Sequence, residues 1–282
     1  MGQTANAIVI DGLRKVYRIG AERVVALDRI DLVITRGEVC CLLGPSGSGK
    51  STLLNMIAGL EKPTRGNIVV LGERISTMGE TRLAKFRQRQ MGFVFQAYNL
   101  LPALTALENV GLPLMFRGIG RRKRRKAAMK MLDMVGLRSH ARHKPTQMSG
   151  GQQQRVGIAR AFVGDAPIIL ADEPTGNLDS KTTAEVMSLI IDRARALGQT
   201  LLIVTHDSRI AAYADRVVHI FDGKVARIEG SGVGGQGAEY EIDDNLILTP
   251  LEGTGIRDQK EEDRGQWSED EDEIDDDLIL TS

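Results

Sequence analysis

The chain has 282 residues, 42% of them apolar, 26% charged and only 4% aromatic, enough for a sizeable core in one large domain or two modest ones. Basic and acidic residues number 37 each, but residues 1–228 hold 34 basic and 19 acidic side chains, and residues 229–282 hold 3 and 18. No apolar run approaches the 18 or so residues of a spanning helix, MGQTANAIVI lacks a basic leader region, and few aromatics argue against a stacking single-strand binder.

Asn6 stands where a myristoylation motif wants Ser or Thr, and AIVI (7–10) reads as the first short strand. GEVCCLL (37–43) reads as the second. Its adjacent Cys40 and Cys41 cannot readily bridge each other and fit as small apolar residues, consistent with a reducing cytoplasm. GPSGSGKST (44–52) then fits G-x-x-x-x-G-K-[ST] through Gly44, Gly49, Lys50 and Ser51, between that strand and a helical pattern over 50–60. Its glycines let backbone N–H groups curl around phosphate oxygens, and the helix start adds positive potential. Lys50 is placed to contact the β- and γ-phosphates and Ser51 to hold Mg²⁺.

NIVVL (67–71) is a further strand, and residues 105–148 are helix-rich without a convincing one, an inserted helical lobe. Within it RRKRRK (121–126) reads first as a solvated helix face. Anionic lipid headgroups or the protein's own acidic tail are the other occupants considered; nucleic acid is not expected, because no base-reading module accompanies the run. MSGGQQQRVGIARA (148–161) sets Ser149, Gly150 and Gly151 as a small-residue turn before a helix, a second anion-binding helix start.

IILADEP (168–174) is a strand ending in two carboxylates. Asp172 is placed to hold Mg²⁺, and Glu173 to polarise an attacking water as general base. A helix over 182–198 repeats Val186, Leu189, Ile190, Ala194 and Leu197 at helical spacing, with Gly198 as its stop. TLLIVT (200–205) leads to His206, which could reach a γ-phosphate from a parallel neighbouring strand, and RVVHI (216–220) is the last strand marked. Strand–helix alternation argues for an α/β domain with a largely parallel sheet. GSGVGGQG (230–237) has the composition of a flexible linker, and the acidic segment after it is expected to be disordered. EIDDNLILTP (241–250) recurs as EIDDDLILTS (273–282), a duplicated short motif.

These motifs together resemble the ATP-binding-cassette (ABC) ATPases over about residues 8–228. Tyr17 fits the aromatic that stacks on adenine. Gly44, Pro45, Ser46, Gly47, Ser48, Gly49, Lys50, Ser51 and Thr52 fit Walker A, and Gln96 the Q-loop glutamine, which senses Mg²⁺ and couples to the membrane partner. Ser149, Gly150, Gly151 and Gln152 fit the signature, with Met148 where Leu is usual. Asp172 and Glu173 fit Walker B and the catalytic base, Asp179 the D-loop, and His206 the switch histidine. The wording FVFQAYNLLPALTALENVGLP (93–113) is similar to the MacB/LolD/FtsE group.

The resemblance implies a RecA-like, largely parallel sheet with an antiparallel β subdomain and an inserted helical lobe. The implied boundaries are 7–228 for the ATPase domain (lobe about 97–160), 229–240 for the linker and 241–282 for the tail. It implies ATP and Mg²⁺ as ligands, with catalysis by Glu173, His206, Lys50 and Gln96 and metal contacts from Ser51, Gln96 and Asp172. It also implies a head-to-tail homodimer that places one copy's signature on the other's nucleotide, and a separately encoded FtsX/MacB-type membrane permease. The subunit would then lie on the cytoplasmic face of the cell membrane. A regulatory or scaffold ATPase that transports nothing is the alternative. The tail binds another protein or the basic run 121–126, or only solubilises.

Overall fold

β-branched residues crowd the first 35 positions, and there the chain pairs with itself: β1 (Asn6–Ile19) runs antiparallel to β2 (Glu22–Thr35). It enters a second sheet through β3 (Val39–Leu43), passes α1 (Lys50–Ile57), and returns to the free edge of β1 as β4 (Arg65–Val70), followed by β5 (Glu73–Arg74). After α2 (Glu80–Gln90), β6 (Met91–Phe95) rejoins the second sheet. Three helices follow without a strand between them: α3 (Ala106–Phe116), α4 (Arg121–Met134) and α5 (Gly150–Phe162). The chain closes with β7 (Ile168–Asp172), α6 (Ser180–Ala196), β8 (Thr200–Thr205), α7 (Ser208–Ala211), β9 (Arg216–Phe221) and β10 (Lys224–Gly230).

This computed structural model describes residues 6–20, 22–230, 240–242 and 248–250. Beyond β10 the backbone of β11 (Tyr240–Ile242) pairs antiparallel with β12 (Leu248–Pro250). The expected disorder of the tail, most of the Gly-rich linker and the second copy of the duplicated motif fall outside the described residues. Among the described residues no helix is long and apolar enough to cross a membrane.

The second sheet has the order β10-β9-β3-β8-β7-β6, parallel throughout except for β10. Its strands are apolar on consecutive positions because both faces are covered. Cys40, Leu42, Ile168, Leu170, Leu202 and Val204 point into one core with α1, α2 and the antiparallel sheet. Their neighbours Val39, Ile169, Ala171, Leu201 and Ile203 point into another with α3 to α6. On α6 the buried stripe is Val186, Met187, Ile190, Ile191 and Ala194. Leu197, expected to share it, is the C-cap and 40% exposed, because Gly198 at φ +61° has already turned the chain.

The two sheets are joined by a buried ion pair. Arg216 Nε on β9 meets Glu38 Oε1 at 2.6 Å, and its Nη2 donates to the Val33 carbonyl on β2 at 2.5 Å. Glu38 Oε2 in turn accepts from the Thr35 N–H and hydroxyl, so no charge in the junction is left without hydrogen bonds.

Candidate active site

Parallel strands deliver their C-terminal ends to one edge, where the chain is free to build a site. The register sets Phe95 beside Asp172, Asp172 beside Val204, and Thr205 beside Leu43. Gly44, Gln96, Glu173 and His206, each following one of those strand ends, therefore leave the sheet from one row.

The 44–49 loop lies too close to the body for a side chain at either end. A Cβ on Gly44 would stand 2.1 Å from the Ile220 carbonyl oxygen, and on Gly49, at φ +101°, 2.6 Å from that of Ala26. Pro45, Ser46 and Gly47 form the exposed rim, while Ser51 and Thr52 open α1. Ser48 is buried, with its Oγ unpartnered among the described residues. Lys50, 6% exposed, donates from Nζ to the carbonyls of Gly44 (2.8 Å) and Pro45 (2.7 Å). Burial holds its amine below the ordinary lysine value, with Glu173 and Asp172 pulling it back up. An ammonium, an orphaned hydroxyl and a side-chain-free backbone at a helix start suit polyphosphate oxygens.

Ser51 Oγ donates to Asp172 Oδ1 at 3.3 Å, which brings two hard oxygen donors together between the start of α1 and the end of β7. That donor set fits Mg²⁺, which is bound through one or two protein oxygens beside substrate phosphates. Burial pushes the Asp172 carboxyl up from its ordinary value. The Ser51 hydrogen bond opposes that rise, the Glu173 carboxylate adds to it, and Lys50 opposes it.

Glu173 leaves the strand at φ +44°, with its N–H held by the Val204 carbonyl at 2.9 Å. So sharp a departure in a non-glycine residue is the kind of strain kept at functional sites. It carries the carboxylate away from Asp172 to His206, whose Nδ1 lies 2.8 Å from Oε1, and to Thr205, whose hydroxyl donates to Oε2 at 3.3 Å. The two adjacent acids are thereby divided between two sets of partners.

Gln96 does not join them. Its side-chain amide lies across Gly176, where a Cβ would stand 2.7 Å from Nε2, and its carbonyl accepts from Asn177 Nδ2 at 3.0 Å. Among the described residues its side chain makes no hydrogen bond to Ser51 or Asp172. Tyr17 is anchored on β1 by donating its hydroxyl to Glu61 Oε2 at 2.6 Å, with Lys15 Nζ 4.9 Å over the ring. Burial and the Glu61 carboxylate raise the phenol's pKa; the Thr52 hydroxyl pulls the other way. Asp179 caps α6, accepting from the N–H groups of Lys181 (3.1 Å) and Thr182 (3.0 Å), and these bonds, Thr182's foremost, hold its carboxyl below the usual range.

Ser149 is the N-cap of α5 in a capping box: its Oγ accepts from the Gln152 N–H at 3.3 Å, and Gln152 Oε1 accepts from the Ser149 N–H at 3.0 Å. Gly150 and Gly151 already belong to the first helical turn, so the helix starts one residue after Ser149 rather than after a three-residue turn. None of the hydrogen bonds of Ser149–Gln152 among the described residues goes to residues 44–52.

Three site residues escaped the motifs. Gln154, 1% exposed on α5, donates Nε2 to the Pro174 carbonyl next to Glu173, while its Oε1 has no partner among the described residues. Asn109, fully buried on α3, accepts from the Leu101 N–H (2.8 Å) and donates to the carbonyls of Leu101, Leu104 and Thr105. Arg160 donates to the carbonyls of Tyr98 (2.8 Å) and Asn99 (2.5 Å). Together Asn109 and Arg160 pin the segment that follows Gln96. An Asn four residues after the N-cap Thr105 was the one local signal available for Asn109's inward aim; the other two contacts cross long stretches of chain.

A family model described as ABC transporter matches residues 27–176. An uncharacterised ABC transporter ATP-binding protein of Thermotoga maritima is 48% identical over 219 residues, 78% of this chain and 93% of that protein. The macrolide export ATP-binding/permease protein MacB 1 of Yersinia pestis is 43% identical over 80% of this chain, which spans 35% of that protein's length. Among solved structures, the dimeric ABC transporter cassette MJ0796, from the archaeon Methanocaldococcus jannaschii, superposes with a TM-score of 0.75 at 45% identity, covering 79% of this chain and 98% of that one. The same cassette bound to ADP and Pi in a post-hydrolysis dimer gives 0.74 at 44% identity.

Proposed function

The chain belongs to the ABC transporter family as an ATP-binding, ATP-hydrolysing cassette, and on that premise we propose that two copies close on ATP and drive a separate membrane permease. In each site one copy supplies residues 44–52, Asp172, Glu173 and His206, and the other supplies Ser149–Gln152. Lys50 gives up its two loop carbonyls for the β- and γ-phosphates, a charge-for-dipole exchange that favours the nucleotide. Tyr17, fixed by Glu61, offers its ring to the adenine. Ser51 and Asp172 would hold Mg²⁺, which would supply charge neutralisation for the phosphates. Glu173 takes the proton of the attacking water as its oxygen bonds to the γ-phosphorus and ADP leaves, and His206 keeps the carboxylate oriented. Gln96 and Asp179 relay between this chemistry and the neighbouring surfaces.

The observation that carries this reading is the division of labour between adjacent carboxylates, Asp172 toward Ser51 and Glu173 toward His206. Replacing Glu173 by Gln tests it. ATP binding should persist while turnover falls by about 10²–10⁴-fold, the usual worth of a general base. Turnover at the wild-type rate would remove Glu173 from its role.

For the permease, the reading is supported by an apolar groove of about 360 Å³ beside Gln96, lined by Leu60, Phe93, Phe95, Leu112, Pro113 and Phe116. Phe116 is 62% exposed there, an expensive position for an aromatic without a partner. In this reading a cytoplasmic segment of the permease fills the groove, and the subunit lies on the cytoplasmic face of the membrane. The segment that Asn109 and Arg160 pin connects the groove to the nucleotide.

A further inference from the structure

The helix α4 begins with six consecutive cations, and nothing in the hydrolytic site uses them. Arg124 alone turns inward, donating to the Ile119 carbonyl at 3.4 Å. Arg121, Arg122, Lys123, Arg125, Lys126 and Lys130 are exposed, and among the described residues none of these six is ion-paired. The one acid on the helix, Asp133, is 3.6 Å from Arg138 instead. Arg121 and Arg125, Arg122 and Lys126, and Lys126 and Lys130 stand four residues apart, where like charges destabilise a helix. The run also sits at the positive end of the helix dipole, which adds to the repulsion. These side chains line a shallow cleft of about 1040 Å³ whose remaining wall includes Ala127 and Met129. A surface of cations around an apolar strip calls for a ligand with acids beside aliphatic residues.

The chain carries such a ligand. Residues 229–282 hold 18 acidic and 3 basic residues, and the motif there repeats as EIDDNLILTP and EIDDDLILTS, acids followed by Leu-Ile-Leu. The flanks of the first copy are already paired with each other as β11 and β12, which leaves the second copy, 273–282, as the occupant. Of the 42 residues between Gly230 and Glu273, the 240–250 span doubles back on itself, and a flexible chain of the other 31 would reach roughly 31 Å. A folded body of this size has a radius of gyration of roughly 17 Å, so the segment reaches α4 from the end of β10. Tethering makes the contact intramolecular, so modest pairwise attraction suffices.

We propose that residues 273–282 dock on the cationic cleft of α4, their carboxylates on its Arg and Lys side chains and Leu278–Leu280 against Ala127 and Met129. The tail is then a built-in electrostatic cover for this surface, displaced when a stronger anion competes. Anionic lipid is the rival occupant, and the charge balance held within one chain favours the tail over it.

Carbodiimide cross-linking of the full-length protein at low salt, mapped by mass spectrometry, tests this. Links from Lys123, Lys126 or Lys130 to Glu273–Asp277 are expected, and they should vanish in high salt; in the triple variant Asp275→Asn, Asp276→Asn, Asp277→Asn, where Glu273 keeps a reactive carboxyl, its links to α4 should vanish as well. A labelled EIDDDLILTS peptide should bind that full-length variant at least about tenfold more tightly than wild type, and further change of Arg122→Gln and Lys126→Gln should abolish the gain. Sedimentation with phosphatidylglycerol vesicles gives the third arm. Stronger vesicle binding by the triple variant than by wild type supports a tail that covers the cleft. Equal vesicle binding without α4–tail links assigns the cleft to lipid and overturns the proposal, as would tail links spread evenly over lysines outside α4.

Discussion

Gln154 shows how one amide can join two parts of a site that sequence motifs treat separately. Its bond to the Pro174 carbonyl ties the signature helix to the turn that aims Glu173. Gln154→Met removes an orphaned acceptor but orphans the Pro174 carbonyl, so stability should shift by no more than about 1–3 kcal/mol. Turnover should fall with little change in the KM for ATP; a raised KM at constant kcat would make Gln154 part of nucleotide binding instead. For Asp172 the sign of the pH effect follows from burial, which raises its folded carboxyl above the unfolded value. Ionising it therefore opposes folding, fully at neutral pH, and the penalty disappears as pH falls through the folded carboxyl's range. Asp172→Asn should raise the thermal midpoint at pH 7 and converge on wild type toward acid, at the expense of activity; a difference independent of pH would contradict the burial argument. The Walker A glycines, Asp172 and Glu173 were legible because each motif sits in one local segment flanked by a strand. Gln154 was not, since its meaning depends on Pro174, which another element positions.

Elements show the same division. The strands read from sequence within IILADEP and TLLIVT are covered on both faces and so are apolar on consecutive central positions. β2 and β10 were not marked, because β2 exposes Val24 and Val25 and mixes charged residues into its length, and β10 is an exposed edge. β6 is only five residues long and merges with the Gln96 segment. That segment itself has few regular bonds: Tyr98 and Asn99 both take positive φ, at +59° and +48°, and Asn109 and Arg160 hold its carbonyls from two helices. Asn109→Ala would take the side-chain partner from the Leu101 N–H and the Leu104 carbonyl, and one of two donors from the carbonyls of Leu101 and Thr105, at a cost of about 1–3 kcal/mol in stability. Basal ATPase should survive that change, while stimulation by the permease is lost. Stimulation of wild-type size would mean that this segment does not carry the coupling.

At the scale of the whole molecule, the Arg216–Glu38 pair fixes the antiparallel sheet to the parallel one, so the Tyr17 strand and the 44–52 loop move as one body. The signature of the same chain makes no hydrogen bond to that loop among the described residues. In the proposed dimer one set of motifs therefore serves two chains: the sequence holds the parts of the site but says nothing in its spacing of which copy supplies which. A mixing experiment separates the two. Lys50→Ala disables nucleotide binding and leaves the signature intact, whereas Gly151→Asp disables the signature and leaves residues 44–52 intact. If the site is shared, neither variant alone hydrolyses ATP, but an equimolar mixture recovers up to about a quarter of wild-type activity, from the one complete site in each mixed dimer. A mixture no more active than the sum of its two components would contradict a site built from two copies.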